Sequence, residues 1–284
     1  MTELVSILTP SFNQARWLVD NLRSVANQTY PSIEHIVMDG GSTDGSVDVL
    51  TQADPAVQWC SEPDRGQSHA LNKAFTASRG EIIGWLNSDD AYVDRRAIES
   101  AVAAFRAHPD VGVVYGHGLL VNRSNRVLQF LWAPPFHPRL FRFGSFFIQP
   151  SVFIRPSFLC EPFVDERLHY IMDWDLWRRL MDRTRFHRID TIVALDRHQP
   201  ARKTLMAGYP QERADYDRAR GIDPNSRRRL ALAKTAKVAV RLVGTPRAAM
   251  LPHQVQPAID LDMGSTPTRV AFQTVYERKR MPID

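Results

Sequence analysis

The chain is expected to fold as an α/β protein: a mixed, mainly parallel sheet flanked by helices, with a C-terminal helical extension. Three observations predict this. Short apolar runs begin at Val5, Ile33, Val57 and Ile82, and each is closed by polar or turn-forming residues. Segments with apolar residues at helical spacing lie between most of them, the alternation of βαβ units. The polar residues collect where successive runs end, which is where an open parallel sheet gathers its ligands.

In order, Val5-Ser6-Ile7-Leu8-Thr9 reads as a strand closed by Pro10-Ser11, and Trp17, Leu18, Leu22 and Val25 mark the helix after it. Ile33 to Met38 forms a second strand ending in Asp39-Gly40-Gly41-Ser42-Thr43-Asp44-Gly45, with a helix following at Val47, Val49 and Leu50. Val57 to Cys60 is a third strand, Ser68 to Ala77 a helix, and Glu81 to Leu86 a strand running into Asn87-Ser88-Asp89-Asp90. Beyond a helix at Arg95 to His108, strands are expected at Val111 to Tyr115, Leu119 to Val121 and Val127 to Phe130. Turns are expected at Gly116-His117-Gly118 and Asn122 to Asn125. An aromatic, proline-rich stretch precedes a helix opening at Asp173. Residues 226–243 read as a basic amphipathic helix, with Leu232, Ala236, Ala239 and Val243 on one side and Lys234, Lys237 and Arg241 on the flank.

The 284 residues are 44% hydrophobic and 24% charged, which excludes a disordered or collagenous chain. Two cysteines a hundred positions apart, Cys60 and Cys160, build neither a disulfide framework nor a metal knuckle, so a cytoplasmic setting is expected. No run approaches the roughly 20 apolar residues of a membrane span. The net charge is +5, but residues 201–284 carry 16 basic and 8 acidic side chains, against 20 and 23 before them. The excess lies in the C-terminal part, so no nucleic-acid partner is expected.

The glycine loop after Asp39 matches neither GxGxxG nor GxxxxGK[ST], so the dinucleotide and phosphate-loop readings are poor. Its glycines can simply turn the chain, with Ser42 or Thr43 capping the next helix. Asp39, at a strand end, is placed to accept hydrogen bonds from a nucleobase imide or a ribose hydroxyl. Asn87-Ser88-Asp89-Asp90 puts hard oxygen donors at the same rim, which suits Mn²⁺ or Mg²⁺ holding a diphosphate, although Asp-Asp after a strand is also a common turn.

Taken together, these segments resemble glycosyltransferase family 2, inverting enzymes of the GT-A fold. The matching stretches are Val5 to Gln14, Ile36 to Gly45, Pro63 to Ser68 with Ala70 to Phe75, Gly80 to Asp90, Gln149 to Phe153, and Met172 to Trp177. The resemblance implies a catalytic domain over residues 1–205, with a nucleotide-binding half at 1–92 and an acceptor half at 93–205. A basic helical extension (206–250) and an irregular tail (251–284) would follow.

The resemblance also implies site residues. Thr9, Pro10, Asn13 and Asp39 would lie beside the nucleoside, with Asp64 and Arg65 lining the same pocket. Asn87-Ser88-Asp89 takes the place of the family's Asp-x-Asp, with Asp89 the metal ligand; Asn87 removes one negative charge from that motif. Asp173 is the expected general base, with Asp175 competing, because residues two apart on a helix point about 200° apart. His198 resembles a position that supplies a further metal or diphosphate ligand, and Arg197, Arg202 and Lys203 are nearby cations. The implied activity transfers a sugar from a nucleotide-sugar donor, with UDP favoured, to a hydroxyl of a glycan or lipid-linked acceptor in polysaccharide or cell-surface glycan synthesis. The basic stretch 226–243 suggests a peripheral site on the anionic inner face of a membrane. The competing readings are a sugar nucleotidyltransferase, disfavoured by the absence of glycine in Thr9 to Arg16, and a non-catalytic nucleotide-sugar-binding protein.

Overall fold

The computed structural model describes residues 2–141, 144–199, 203, 206–227, 231–235 and 255–262. Strands β1 (Val5–Ser11), β2 (Ile33–Asp39), β3 (Val57–Ser61) and β4 (Ile82–Trp85) alternate with helices α1 (Ala15–Ala26), α2 (Ser46–Thr51) and α3 (Gln67–Ala77). β1 pairs in parallel with both β2 and β4, and β2 with β3, so these four strands end at one rim. Every residue of β1 is buried, as a strand covered on both faces requires. Val5 and Ile7 belong to one core cluster with Ile98 and Phe105, whereas Leu8, on the opposite face, belongs to another that includes Leu71, Ala74 and Trp177.

The second half supplies β5 (Ala91–Tyr92), α4 (Ala97–Ala107), β6 (Val111–Val121), β7 (Val127–Leu131), α5 (Pro138–Phe141), β8 (Val152–Ile154), α6 (Met172–Met181), β9 (Arg185–Arg197) and α7 (Gly208–Ala219). The sheet runs β3-β2-β1-β4-β8-β6-β9-β5, with β7 on β6. β8 is antiparallel to β4 and β6, while β6 and β9 are parallel with α6 crossing between them. The sheet is therefore mixed and mainly parallel in its first half.

Three features differ from the sequence expectation. The turn expected at Gly116-His117-Gly118 is instead the middle of one continuous strand, β6. Its glycines serve close packing: a Cβ on Gly118 would stand 2.2 Å from Ile148 Cδ1, and one on Gly116 would stand 2.5 Å from Val193 Cγ2. The register against β9 shifts at this point, a β-bulge signature that sequence alone does not separate from a turn. β9 went unread because its first half is polar and only partly buried. Residues 255–262, expected as irregular tail, lie on the sheet edge: Ala258 and Ile259 are buried, and Ala258 N–H donates to Val93 O at 2.8 Å. Most of the basic stretch 226–243 falls outside the described residues.

Candidate active site

The ends of β1, β2 and β3 bring Ser11, Asp39 and Ser61 side by side in register. Asp39 is fully buried. Its Oδ2 accepts the N–H groups of Gly41 (3.1 Å) and Ser42 (2.8 Å) and the hydroxyl of Ser61 (2.7 Å), while Oδ1 accepts the Ser42 hydroxyl at 2.5 Å. A carboxylate offers about four lone pairs, so the loop uses most of Asp39 and leaves capacity on Oδ1 alone. Asn13, in the left-handed region at φ 52°, closes the loop from the other side: its Oδ1 accepts Thr43 N–H at 2.9 Å and its own N–H donates to Ser42 Oγ. Thr9 lies one layer below the rim, buried and paired with His35 Nε2 at 2.9 Å. Burial pushes His35 down to about 3, so that pair is neutral at physiological pH. Pro10 contributes its carbonyl, which accepts Ser88 N–H at 3.3 Å.

Asp64 stands over this loop. Its Oδ1 accepts Gly66 N–H at 2.6 Å, and a Cβ on Gly40 would meet its Oδ2 at 2.8 Å. The missing side chain of Gly40 is what admits Asp64. Phe12 borders the same place and is 59% exposed, an unusual position for a large aromatic side chain that marks it as a ligand-facing candidate. Arg65 is turned outward, where its guanidinium pairs with Glu166 at 2.7 Å.

At the end of β4, Asn87 is consumed by its neighbours. Its Oδ1 accepts from Gln67 Nε2 (2.6 Å) and Trp85 Nε1 (2.7 Å), and its Nδ2 donates to Asp90 Oδ2 and Gln149 Oε1, both at 2.9 Å. An aspartate in this position would have no proton for the last two bonds, which accounts locally for the amide. Asp89 is held from the end of β9: Gln199 donates to its Oδ2 at 2.7 Å, and Arg197 Nε donates to its carbonyl at 3.0 Å. Arg197 is buried, reaches Asn125 and the carboxylate of Asp20 (3.3 Å), and lies 5.7 Å from the Trp17 ring centroid. Ser88 and His198 are buried, and His198 N–H donates to Val121 O at 2.8 Å.

The N-terminus of α3 joins this turn to α6. Gln67 touches Asn87, while the next residue, Ser68, donates to Leu168 O at 2.8 Å and approaches Met172 Sδ at 3.5 Å. The N-terminus of α3 therefore lies between the turn that carries Asp89 and the segment that opens into α6, where Asp173 stands. Asp173 keeps a partly exposed edge but is packed in protein, and this burial raises its carboxyl to about 6. The N–H of Trp174 at 2.7 Å and the charge of Arg213 oppose the rise, and Asp196 adds to it. Asp175 faces the other way, buried against Tyr216 Oη (2.9 Å), Arg179 (2.8 Å) and Arg220 (3.3 Å), so it ties α6 to α7. Lys203 donates to His169 O at 2.9 Å. Burial lowers its pKa, and the negative charges of Glu212, Asp173 and Asp64 oppose that shift.

Among the described residues, no group of three or more His, Cys, Asp or Glu side chains converges as a metal cage. One carboxylate is nonetheless sufficient for a Mg²⁺ or Mn²⁺ ion held mainly by substrate phosphates and water, so Asp89 fits an ion shared with a diphosphate. The sequence reading missed Phe12, Gln67, Gln149, Gln199, Glu212 and Arg213. The glutamines follow no periodicity and carry no charge, so no pattern announces them.

Among the described residues, nine strands in this order, with an acid at the end of β2, the Asn-Ser-Asp turn at the end of β4 and an acid opening α6, build a GT-A fold. A family model described as "Glycosyl transferase family 2" matches residues 6–160, more than half of the chain, and the protein belongs to that family. Chondroitin synthase of Escherichia coli is 31% identical over 128 residues, covering 44% of this chain and 18% of its own. The mannosyltransferase PcManGT of Pyrobaculum calidifontis, solved with GDP-Man and Mn²⁺, superposes with a TM-score of 0.57 at 20% identity, over 88% of this chain and 74% of that one. Staphylococcus aureus TarS 1–349 in complex with UDP gives 0.55 at 16% identity, over 87% and 83%. These two structures share the fold. The matched segments span 35% and 45% of two further curated relatives' own length. No helix among the described residues is long and apolar enough to cross a membrane.

Proposed function

We propose that the protein is an inverting, metal-assisted glycosyltransferase that moves a sugar from a UDP-linked donor to a hydroxyl of a glycan or lipid-linked acceptor. What supports this reading is that the start of α3 touches both the turn carrying Asp89 and the residue before Asp173, whose carboxyl burial holds at about 6. A base of that strength is ionised at neutral pH and accepts a proton more readily than an ordinary aspartate. In the proposed step the acceptor hydroxyl gives its proton to Asp173 as its oxygen attacks the anomeric carbon, and the nucleoside diphosphate leaves from the opposite face.

The nucleoside would sit over the β2 loop, where Asp39 Oδ1 accepts from the base or ribose, Asp64 closes the pocket and the exposed ring of Phe12 offers a stacking face. Thr9, Pro10 and Asn13 shape that loop from beneath. Asp89, with His198 as a second candidate, would hold Mn²⁺ or Mg²⁺, which when bound neutralises charge on the leaving diphosphate. Ser88 and Asn87 set the turn that presents Asp89, and the Lys203 ammonium adds positive charge nearby. UDP is favoured by the sequence resemblance and accords with the UDP bound by TarS, whereas PcManGT binds GDP-Man. The relation to chondroitin synthase supports a polysaccharide acceptor.

A panel of UDP-, GDP- and dTDP-sugars, assayed for release of nucleoside diphosphate with and without Mn²⁺, tests the reading. Metal-dependent cleavage of a UDP-sugar is expected, and absence of cleavage and of transfer for every donor would defeat it. The basic composition of residues 226–243 supports docking to an anionic membrane surface from the cytoplasmic side. Co-sedimentation with anionic vesicles at low salt, lost as salt rises, is the expected result; failure to bind them at low salt would remove that part.

A further inference from the structure

Two adjacent residues of α7 grip the start of α6. Glu212 Oε2 accepts His169 N–H at 2.8 Å, and its Oε1 accepts Tyr170 N–H at 2.7 Å and Ile171 N–H at 2.9 Å. These amides lead directly into α6, whose own N-cap residue, Ile171, supplies no side-chain bond. Helix N-termini leave backbone donors unfilled, and a carboxylate there is favoured by hydrogen bonding and by the helix dipole. Glu212 thus caps α6 from a neighbouring helix 41 positions away in sequence. The carbonyl of the same turn is held from the other side by Lys203, on His169 O. Arg213 lays its guanidinium 3.8 Å from the ring centroid of Trp174, and Nε of Arg213 lies 3.5 Å from Asp217 one turn on. The residue so clamped is the one whose N–H donates to Asp173 Oδ1.

We propose that Glu212 and Arg213 are positioning residues for Asp173: α7 fixes the turn and the first helical residues that hold and orient this carboxylate. The proposal rests on the glycosyl-transfer reading for its functional meaning, but its geometry stands independently. The charged groups facing Asp173 are Arg213 from α7, Asp196 from β9 and Lys203 from the segment after β9. Glu212 and Arg213 lie beyond residue 160, where the family match ends, so they belong to a part of the chain that the match does not reach.

The test is a carboxyl-carbon NMR titration of the full chain, with the Asp173 signal assigned by its loss in Asp173→Asn. Wild type is expected to titrate near 6. Arg213→Met removes a favourable charge and is expected to move the midpoint up by roughly half to one pH unit, with Arg213→Lys staying near wild type. Glu212→Ala releases the cap, opens the turn to water and is expected to move the midpoint down toward the ordinary aspartate range; Glu212→Gln, which keeps an acceptor oxygen, is expected to fall between. Affinity for UDP with Mn²⁺ should stay within about twofold in the folded variants, because neither residue lines the nucleoside loop. Opposite displacements support the positioning role. Midpoints unchanged in both Arg213→Met and Glu212→Ala, or displaced in the same direction, overturn it. If Asp173→Asn still transfers sugar at the wild-type rate, the functional meaning fails while the titration result stands, so the two failures are distinguishable.

Discussion

Asp173→Asn is expected to make the protein more stable at neutral pH. Folding carries the carboxyl from its ordinary value of 3.8 to about 6, chiefly because burial penalises its charge. Between pH 4 and pH 6 the unfolded chain has released this proton and the folded chain has kept it, so the folded state binds more protons and stability falls as pH rises. Above pH 6 the loss is complete. Two pH units correspond to roughly 3 kcal/mol as a ceiling, and about 2 kcal/mol once water at the exposed edge of the crevice is allowed for. Asparagine carries no charge, and its amide oxygen can still accept Trp174 N–H. The variant should therefore match wild type below pH 4, gain through pH 4 to 6, and keep a constant advantage of about 2 kcal/mol above that, equivalent to about 3 °C in Tm. Urea unfolding followed by tryptophan fluorescence at pH 4, 5, 6 and 7 measures it. A variant less stable than wild type at pH 7, or an advantage independent of pH, would refute the reasoning.

Three other substitutions test the scaffold around the crevice. Asn87→Asp should not improve metal binding but destabilise by about 2 to 4 kcal/mol, because it sets a carboxylate 2.9 Å from Asp90 Oδ2 and strips a donor from Gln149; thermal unfolding reads this out. Gly40→Ala should displace Asp64, whose Oδ2 would lie 2.8 Å from the new methyl, and weaken nucleotide affinity about tenfold or more with little change in Tm; calorimetric titration with UDP and Mn²⁺ checks it. Arg197→Met should cost about 3 kcal/mol in urea unfolding by taking the buried guanidinium away from the Asp20 carboxylate, Asn125 Oδ1 and the Asp89 carbonyl. Arg197→Lys should recover little of it, since an ammonium cannot reproduce the guanidinium fork.

The first half of the sheet was readable because its physics is local. β1 to β4 are short apolar runs buried on both faces, and the acids that follow them must emerge at the rim whatever the later chain does. That Asp173 and Asp175 point apart also followed from helical geometry alone: Asp175 turns into the contact with Tyr216, whereas Asp173 accepts the N–H of Trp174. What stayed hidden depends on long-range partners. Gly116 and Gly118 look like turn residues until Ile148 and Val193 are known to press on them. Arg65 carries a charge suited to phosphate, yet its partner is Glu166, 101 positions on. The glutamines and Glu212 act through single hydrogen bonds that no periodicity encodes.

The central claim is that one crevice binds an activated sugar and that Asp173 takes the proton of the attacking hydroxyl. It is tested most directly by measuring donor binding and nucleoside diphosphate release side by side, in wild type and Asp173→Asn, across the sugar-nucleotide panel with Mn²⁺. The account predicts a donor that both proteins bind with similar affinity and that only the wild type turns over. Release by Asp173→Asn at the wild-type rate, or failure of both proteins to bind any donor, would contradict it.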